Sequence, residues 1–114
     1  MNNTDIHIGF IYLIDNEMQR VTSINHSNGD WFINGHPIKS VKPLTMTDKL
    51  FDDFSFRYYN GWYCPFDEGI DTVLFLRQFN GYAVTIGSHE LNDKVVKYFH
   101  EMQAIIYALK GVIV

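Results

Sequence analysis

Through the first forty residues, apolar positions alternate with polar ones in short runs, and pairs such as Asp15-Asn16, Asn28-Gly29 and Asn34-Gly35 interrupt them. A period of two marks a strand with one buried face. Asn and Gly adopt positive φ readily, as the two-residue type I′ hairpin turn requires. The pattern predicts strands near Ile6–Ile14, Met18–Asn25, Trp31–Asn34 and Pro37–Val41, joined by those three turns. Residues 1–43 therefore read as an antiparallel β-meander, with closure into a small barrel as the alternative.

Pro43 ends that pattern. Thr47 is a good N-cap for a short helix over Asp48–Phe54. Asp48 lies at its positive end, and Leu50, Phe51 and Phe54 form its apolar face. Two hairpins follow: Phe56–Tyr59 with Trp62–Phe66 across Asn60-Gly61, and Thr72–Phe79 with Tyr82–Gly87 across Asn80-Gly81. From Asn92 to Lys110 apolar residues fall at Val95, Phe99, Met102, Ile106 and Leu109, in steps of four and three. That spacing predicts an amphipathic helix packed on the sheet, capped by Ser88 or Asn92 and stopped by Gly111. The whole, residues 1–114, reads as one α+β domain: a meander over 1–43, then helix, two hairpins and terminal helix over 44–114.

Composition adds a functional hint. Aromatics make up 16% of the 114 residues, more than a small core needs, and the surplus favours a binding face. The net charge of -4, with nine scattered basic residues, disfavours binding along a phosphate backbone. With Cys64 as the only cysteine no intrachain disulfide can form. The start Met1-Asn2-Asn3-Thr4-Asp5 does not read as a secretory signal, and no apolar run is long enough to span a bilayer. The expectation is a cytoplasmic protein with no membrane partner.

Catalytic constellations do not emerge. His89-Glu90 and His100-Glu101 are sequence neighbours, which a helix points about 100 degrees apart; only a helix reaching back to Ser88 would line up His89, Asp93 and His100. Ala104 stands where a zincin would need its second histidine. The acidic groups Asp48, Asp52, Asp53 and Asp67, Glu68, Asp71 lack the calcium-loop pattern. They read as a polar helix face and loop, or as an acidic surface for a basic groove. Cys64 lies among aromatics with no adjacent cation, as a buried inert thiol would. We expect no catalytic residue, metal or cofactor, and hence no enzyme. The hairpin Phe56-Arg57-Tyr58-Tyr59-Asn60-Gly61-Trp62-Tyr63 has the residue types of an interface hot spot or a base-stacking platform. Alternation sends Phe56 and Tyr58 to one face, Arg57 and Tyr59 to the other.

Two segments carry a resemblance. Thr47-Asp48-Lys49-Leu50-Phe51-Asp52-Asp53-Phe54-Ser55-Phe56 is similar to a recurrent segment of small uncharacterised proteins of Bacteroidetes phages and prophages. Val96-Lys97-Tyr98-Phe99-His100-Glu101-Met102-Gln103 and Tyr107-Ala108-Leu109-Lys110-Gly111 resemble that family's terminal helix. Here Ser55 stands for the usual glycine, Lys49 for an acid, Leu50 for a Trp and Glu101 for a Gln. The resemblance implies a fold, a mobile-element origin and a host-cell setting, not a chemistry. His100 is its one polar match that helix formation does not explain.

The resulting expectation is a non-enzymatic protein-binding module of phage type, such as an inhibitor of a host defence effector of the anti-CRISPR kind. Its partner would be a host nuclease or ribonucleoprotein, with RNA as part of the target. The candidate binding residues are Arg57, Tyr58, Tyr59, Trp62, Tyr63, Asp48, Asp52, Asp53 and His100. The alternatives are an RNA or single-strand binder using Arg57, Tyr59 and Arg77, and a structural homo-oligomer; the sequence leaves the oligomeric state open.

Overall fold

The computed structural model describes residues 5–65, 73–86 and 89–114, and for 89–94 the backbone alone. The fold is α+β, with antiparallel sheets and, among the described residues, two α-helices. The described residues gather into two compact units. One takes in the chain up to Thr45 together with Tyr98–Val114; the other lies between Met46 and Lys97. The ends predicted at Phe66, Thr72 and Gly87, the cap Ser88, and the cluster Asp67, Glu68, Asp71 fall outside the described residues.

The first unit holds β1 (Ile11–Ile14), β2 (Glu17–Arg20), β3 (Ile24–Ser27), β4 (Asp30–Ile33), β5 (His36–Pro37) and β6 (Val41–Lys42). These are not one meander, and among the described residues they close no barrel. They form two three-stranded sheets, ordered β2-β1-β6 and β3-β4-β5. The strand expected over Met18–Asn25 divides at Thr22-Ser23, where Asn34 offers another partner. Its Oδ1 accepts from the Thr22 and Ser23 amides at 2.8 and 3.2 Å, and its Nδ2 donates to the Arg20 carbonyl at 2.9 Å. With those amides satisfied off the ladder, the chain is free to change sheets. Tyr12, Ile14, Val21, Ile33 and Val41 form the core. The Tyr12 hydroxyl donates to the Asp5 carbonyl at 2.9 Å, and burial pushes its pKa up to about 12.

The terminal helix belongs to this unit and starts later than its apolar stripe predicts. It spans Phe99–Lys110, whereas Val95 and Val96, at the head of the stripe, end a strand, and Asn92, expected as a cap, lies within that strand. Tyr98 is held extended by a bridge to Thr45, and the Phe99 amide donates to the Leu44 carbonyl at 2.7 Å. The Glu101 carboxylate accepts from the Tyr98 amide at 2.9 Å, completing the N-terminus. Gly111 ends the helix at φ 70, as expected. Gln103 is wholly buried: its Oε1 accepts from the Ile11 amide at 2.8 Å and its Nε2 donates to Val114 at 2.9 Å. The side chain thus satisfies a backbone donor of β1 that would otherwise be orphaned.

The second unit begins with the first helix, α1 (Asp48–Asp53), and continues into a five-stranded sheet. Its strands are β7 (Arg57–Tyr59), β8 (Trp62–Cys64), β9 (Val73–Gln78), β10 (Gly81–Ile86) and β11 (His89–Val96), ordered β11-β10-β9-β8-β7. Thr47 caps α1 as expected, its Oγ1 accepting from the Leu50 amide at 3.3 Å. The helix ends in a Schellman motif. The Phe56 amide donates to the Phe51 carbonyl and the Ser55 amide to the Asp52 carbonyl, both at 3.0 Å, while the Phe51 and Phe56 rings meet at 5.0 Å. The residue required to be left-handed is Ser55, at φ 63, a conformation that favours glycine. Ser55→Gly should therefore relieve strain and stabilise the protein by about 0.5–1 kcal/mol, a rise of several degrees in Tm by differential scanning calorimetry.

Three of the four Asn-Gly pairs have both residues at positive φ, as type I′ turns require: Asn28-Gly29, Asn34-Gly35 and Asn60-Gly61. The fourth does not. Gly81 pairs with Gln78, so the loop residues are Phe79 and Asn80, and neither has positive φ. Among the described residues no helix is long and apolar enough to cross a membrane.

Candidate functional site

The predicted binding residues of the second unit divide between the two faces of its sheet. Register places Tyr58 opposite Tyr63, and Tyr63 opposite Phe75, on the face that α1 covers. Arg57 and Tyr59 lie on the other face with Trp62, which is half-buried beside Leu76. Phe56 packs into the core, and Tyr58, expected on its face, is exposed.

On the α1 face a ladder of rings runs from solvent into the core. Tyr58 is tilted over Tyr63 with centroids 4.9 Å apart, and Tyr63 stacks on Phe51 at 4.4 Å and 7°. Phe51, fully buried, meets Tyr82 edge-on at 4.8 Å. The buried Tyr82 donates its hydroxyl to Asp48 Oδ1 at 2.5 Å, and Arg77 Nη1 donates to Asp48 Oδ2 at 2.9 Å. Burial, then the bond to Asp48, raises the Tyr82 pKa. Burial is also the main cause that raises Tyr63, followed by the charges of Asp48 and Asp52. Asp48, Asp52, Tyr58 and Tyr63 thus come together.

This placement changes what the acidic residues offer. Asp48 spends both oxygens tying α1 to the sheet, and Asp53 is paired with Lys49 at 2.9 Å. Asp52 is exposed, with no ion-pair partner among the described residues. The base-stacking set also separates: Arg77 lies on the α1 face, held by Asp48, while Arg57 and Tyr59 lie on the opposite face.

The most exposed large apolar side chains described in this unit are Tyr58 at 63%, Tyr59 at 70% and Phe79, wholly exposed. Tyr59 and Phe79 lie toward the same end of the sheet. β8 runs antiparallel to β9 with Trp62 opposite Leu76, so the Asn60-Gly61 turn lies at the same end of the sheet as the Phe79-Asn80 loop. Tyr59 is level with Leu76 two strands away, three residues short of Phe79, so the two rings share that end of the sheet without adjoining. Sequence patterning does not single out Phe79, because the Asn80-Gly81 pair places the turn one residue too far along. The available signal was a large ring beside a turn, where polar residues prevail.

His100 is in the first unit. His89 and Asp93 are strand residues, so the three do not line one helix. The His100 ring stacks on Tyr12 at 5.1 Å and 28°, and its Nδ1 is buried without a hydrogen-bond partner. Desolvation lowers its pKa below the ordinary 6.5, against the opposing charges of Glu101 and Asp5. A histidine neutral when folded binds fewer protons than in the unfolded chain, so stability is complete above the unfolded value and falls below it. Melting temperature should hold from pH 8 to about 6.5 and then decline, and His100→Phe, which keeps the stack, should flatten that part of the profile.

Cys64 is half-buried in β8. Among the described residues no group of three or more His, Cys, Asp or Glu side chains is placed to hold a metal ion. Comparison of the chain with protein-family models, with curated proteins and with solved structures gives no match.

Proposed function

We propose that this chain is a non-enzymatic protein-binding module that grips a protein partner at the β7 end of its five-stranded sheet. The observation that carries the reading is the pair of exposed rings Tyr58 and Tyr59 on the edge strand β7, one on each face, with Phe79 exposed at the same end of the sheet beyond β9. Exposed aromatics next to a well-packed base are the usual anchors of an interface, because two torsions suffice to order them. The resemblance to phage and prophage proteins favours a host target and host cytoplasm, and inhibition of a defence nuclease or ribonucleoprotein is the role we assign. RNA binding has less support, since Arg77 is matched by Asp48 on the face away from Arg57 and Tyr59.

The test is affinity purification of the tagged chain from a Bacteroidetes host lysate, with and without RNase, beside a Tyr58→Ala, Tyr59→Ala, Phe79→Ala variant. A stoichiometric protein partner that survives RNase and is lost with the variant is the expected result. A partner retained by the variant would sink the reading, and one lost with RNase would transfer it to RNA.

A further inference from the structure

We infer that the edge strand β7 receives, at Tyr58, an extended segment of that partner as an added strand, and that the segment carries an arginine or lysine where it passes Tyr58. The inference rests on the protein-binding reading and names the partner chemistry for that site. The turn at Asn60-Gly61 leaves Tyr59 and Trp62 as the pair that closes the hairpin. Such a closing pair exchanges both backbone hydrogen bonds, so in an antiparallel ladder the next pair, Tyr58 and Tyr63, exchanges none. The Tyr58 amide and carbonyl therefore point away from β8, toward the side on which the sheet ends. No described residue takes them up. An outward donor and acceptor in an extended residue form a template for another strand.

Charge decides what kind of strand. On the α1 face, Asp48 is neutralised by Arg77, whereas the exposed Asp52 has no ion-pair partner among the described residues, and both carboxylates act on Tyr63 directly beneath Tyr58. A cation on the incoming strand would lie over the Tyr58 ring with Asp52 as its counter-charge, the combination that favours arginine or lysine. A second copy of this chain fits less well. Antiparallel pairing about Tyr58 would set Asp52 near its own symmetry mate, between two molecules that each carry a net charge of -4.

The experiment selects random twelve-residue peptides displayed on phage against the full chain. Recovered peptides are then measured by isothermal titration calorimetry against wild type, Tyr58→Ala, Tyr58→Pro and Asp52→Lys. Proline removes an amide that β8 does not use, so an edge strand tolerates it, and circular dichroism checks that the fold survives. The expected peptides alternate β-branched residues around one Arg or Lys. Tyr58→Pro should weaken them about tenfold beyond Tyr58→Ala, and Asp52→Lys by about tenfold, with recovery when the peptide's cation is changed to Glu. Failure to recover binders, peptides without a basic residue, or indifference to Asp52→Lys would each overturn the inference; the charge swap decides it even where the proline variant does not fold. Binding that falls with Tyr58→Ala, and no further with Tyr58→Pro, would overturn strand addition and leave the aromatic interface standing. A concentration-dependent dimer in light scattering, lost with Tyr58→Pro, would assign the edge to a second copy instead.

Discussion

Gly81→Ala is expected to destabilise the protein by about 3 kcal/mol or more, read as a lower midpoint in urea. Gly81 opens β10 at φ 147, a conformation that costs an L side chain about 1–3 kcal/mol wherever it occurs. The larger obstacle is space. A Cβ at Gly81 would sit 2.5 Å from the Val96 carbonyl oxygen and 2.8 Å from the Val95 Cγ1. The first is backbone of β11, which cannot move away without breaking its pairing with Tyr82 and Ala83. Overpacking against a rigid neighbour adds roughly another 1–3 kcal/mol. Gly35→Ala is the control: φ is 81 there, but the added carbon meets nothing within 4 Å, so strain acts alone. A Gly81 loss no greater than the Gly35 loss would mean that the close approach of β11 contributes nothing.

Gly81 also marks where sequence reasoning works and where it misleads. Asn28, Asn34 and Asn60 stand before glycine because both residues of a type I′ turn need positive φ, a local demand that a dipeptide discloses. Asn80-Gly81 looks identical, but its glycine answers to a strand that arrives fifteen residues later at Val96, a contact no dipeptide records. The same holds for the terminal helix. The stop at Gly111 is local and was legible; the start was not, because the step from Val95 to Phe99 imitates a helical repeat across a strand end. In the site, alternation correctly separated Arg57 and Tyr59 from Tyr58. It gave no means of knowing that Asp48 would be consumed by Tyr82 and Arg77, which join it only through the packing of α1 on the sheet. Phe79 was hidden by the misplaced turn, and Gln103 by occupying a polar place in an otherwise apolar stripe.

Phe51→Ala should remove roughly 3–5 kcal/mol of stability, the range for deleting a fully buried aromatic ring. Four rings meet Phe51 in the core of the second unit: Phe56 at 5.0 Å, Tyr63 at 4.4 Å, Phe75 at 5.7 Å and Tyr82 at 4.8 Å. No neighbour can fill the void without giving up another contact. Tyr82 is fixed by Asp48, and Phe75 and Tyr63 are held in register on adjacent strands. The change also bears on the proposed edge, because Phe51 supports Tyr63, and Tyr63 supports Tyr58. Phe51→Leu keeps most of the volume and should cost less, about 1–2 kcal/mol, leaving a folded protein in which that support is loosened. If the edge depends on a pre-ordered Tyr58, peptides selected for strand addition should bind Phe51→Leu several-fold more weakly, with Asp52 and the β7 backbone unchanged. Equal binding by wild type and Phe51→Leu would show that Tyr58 gains nothing from the rings beneath it, and would place the recognition in the strand backbone and Asp52 alone.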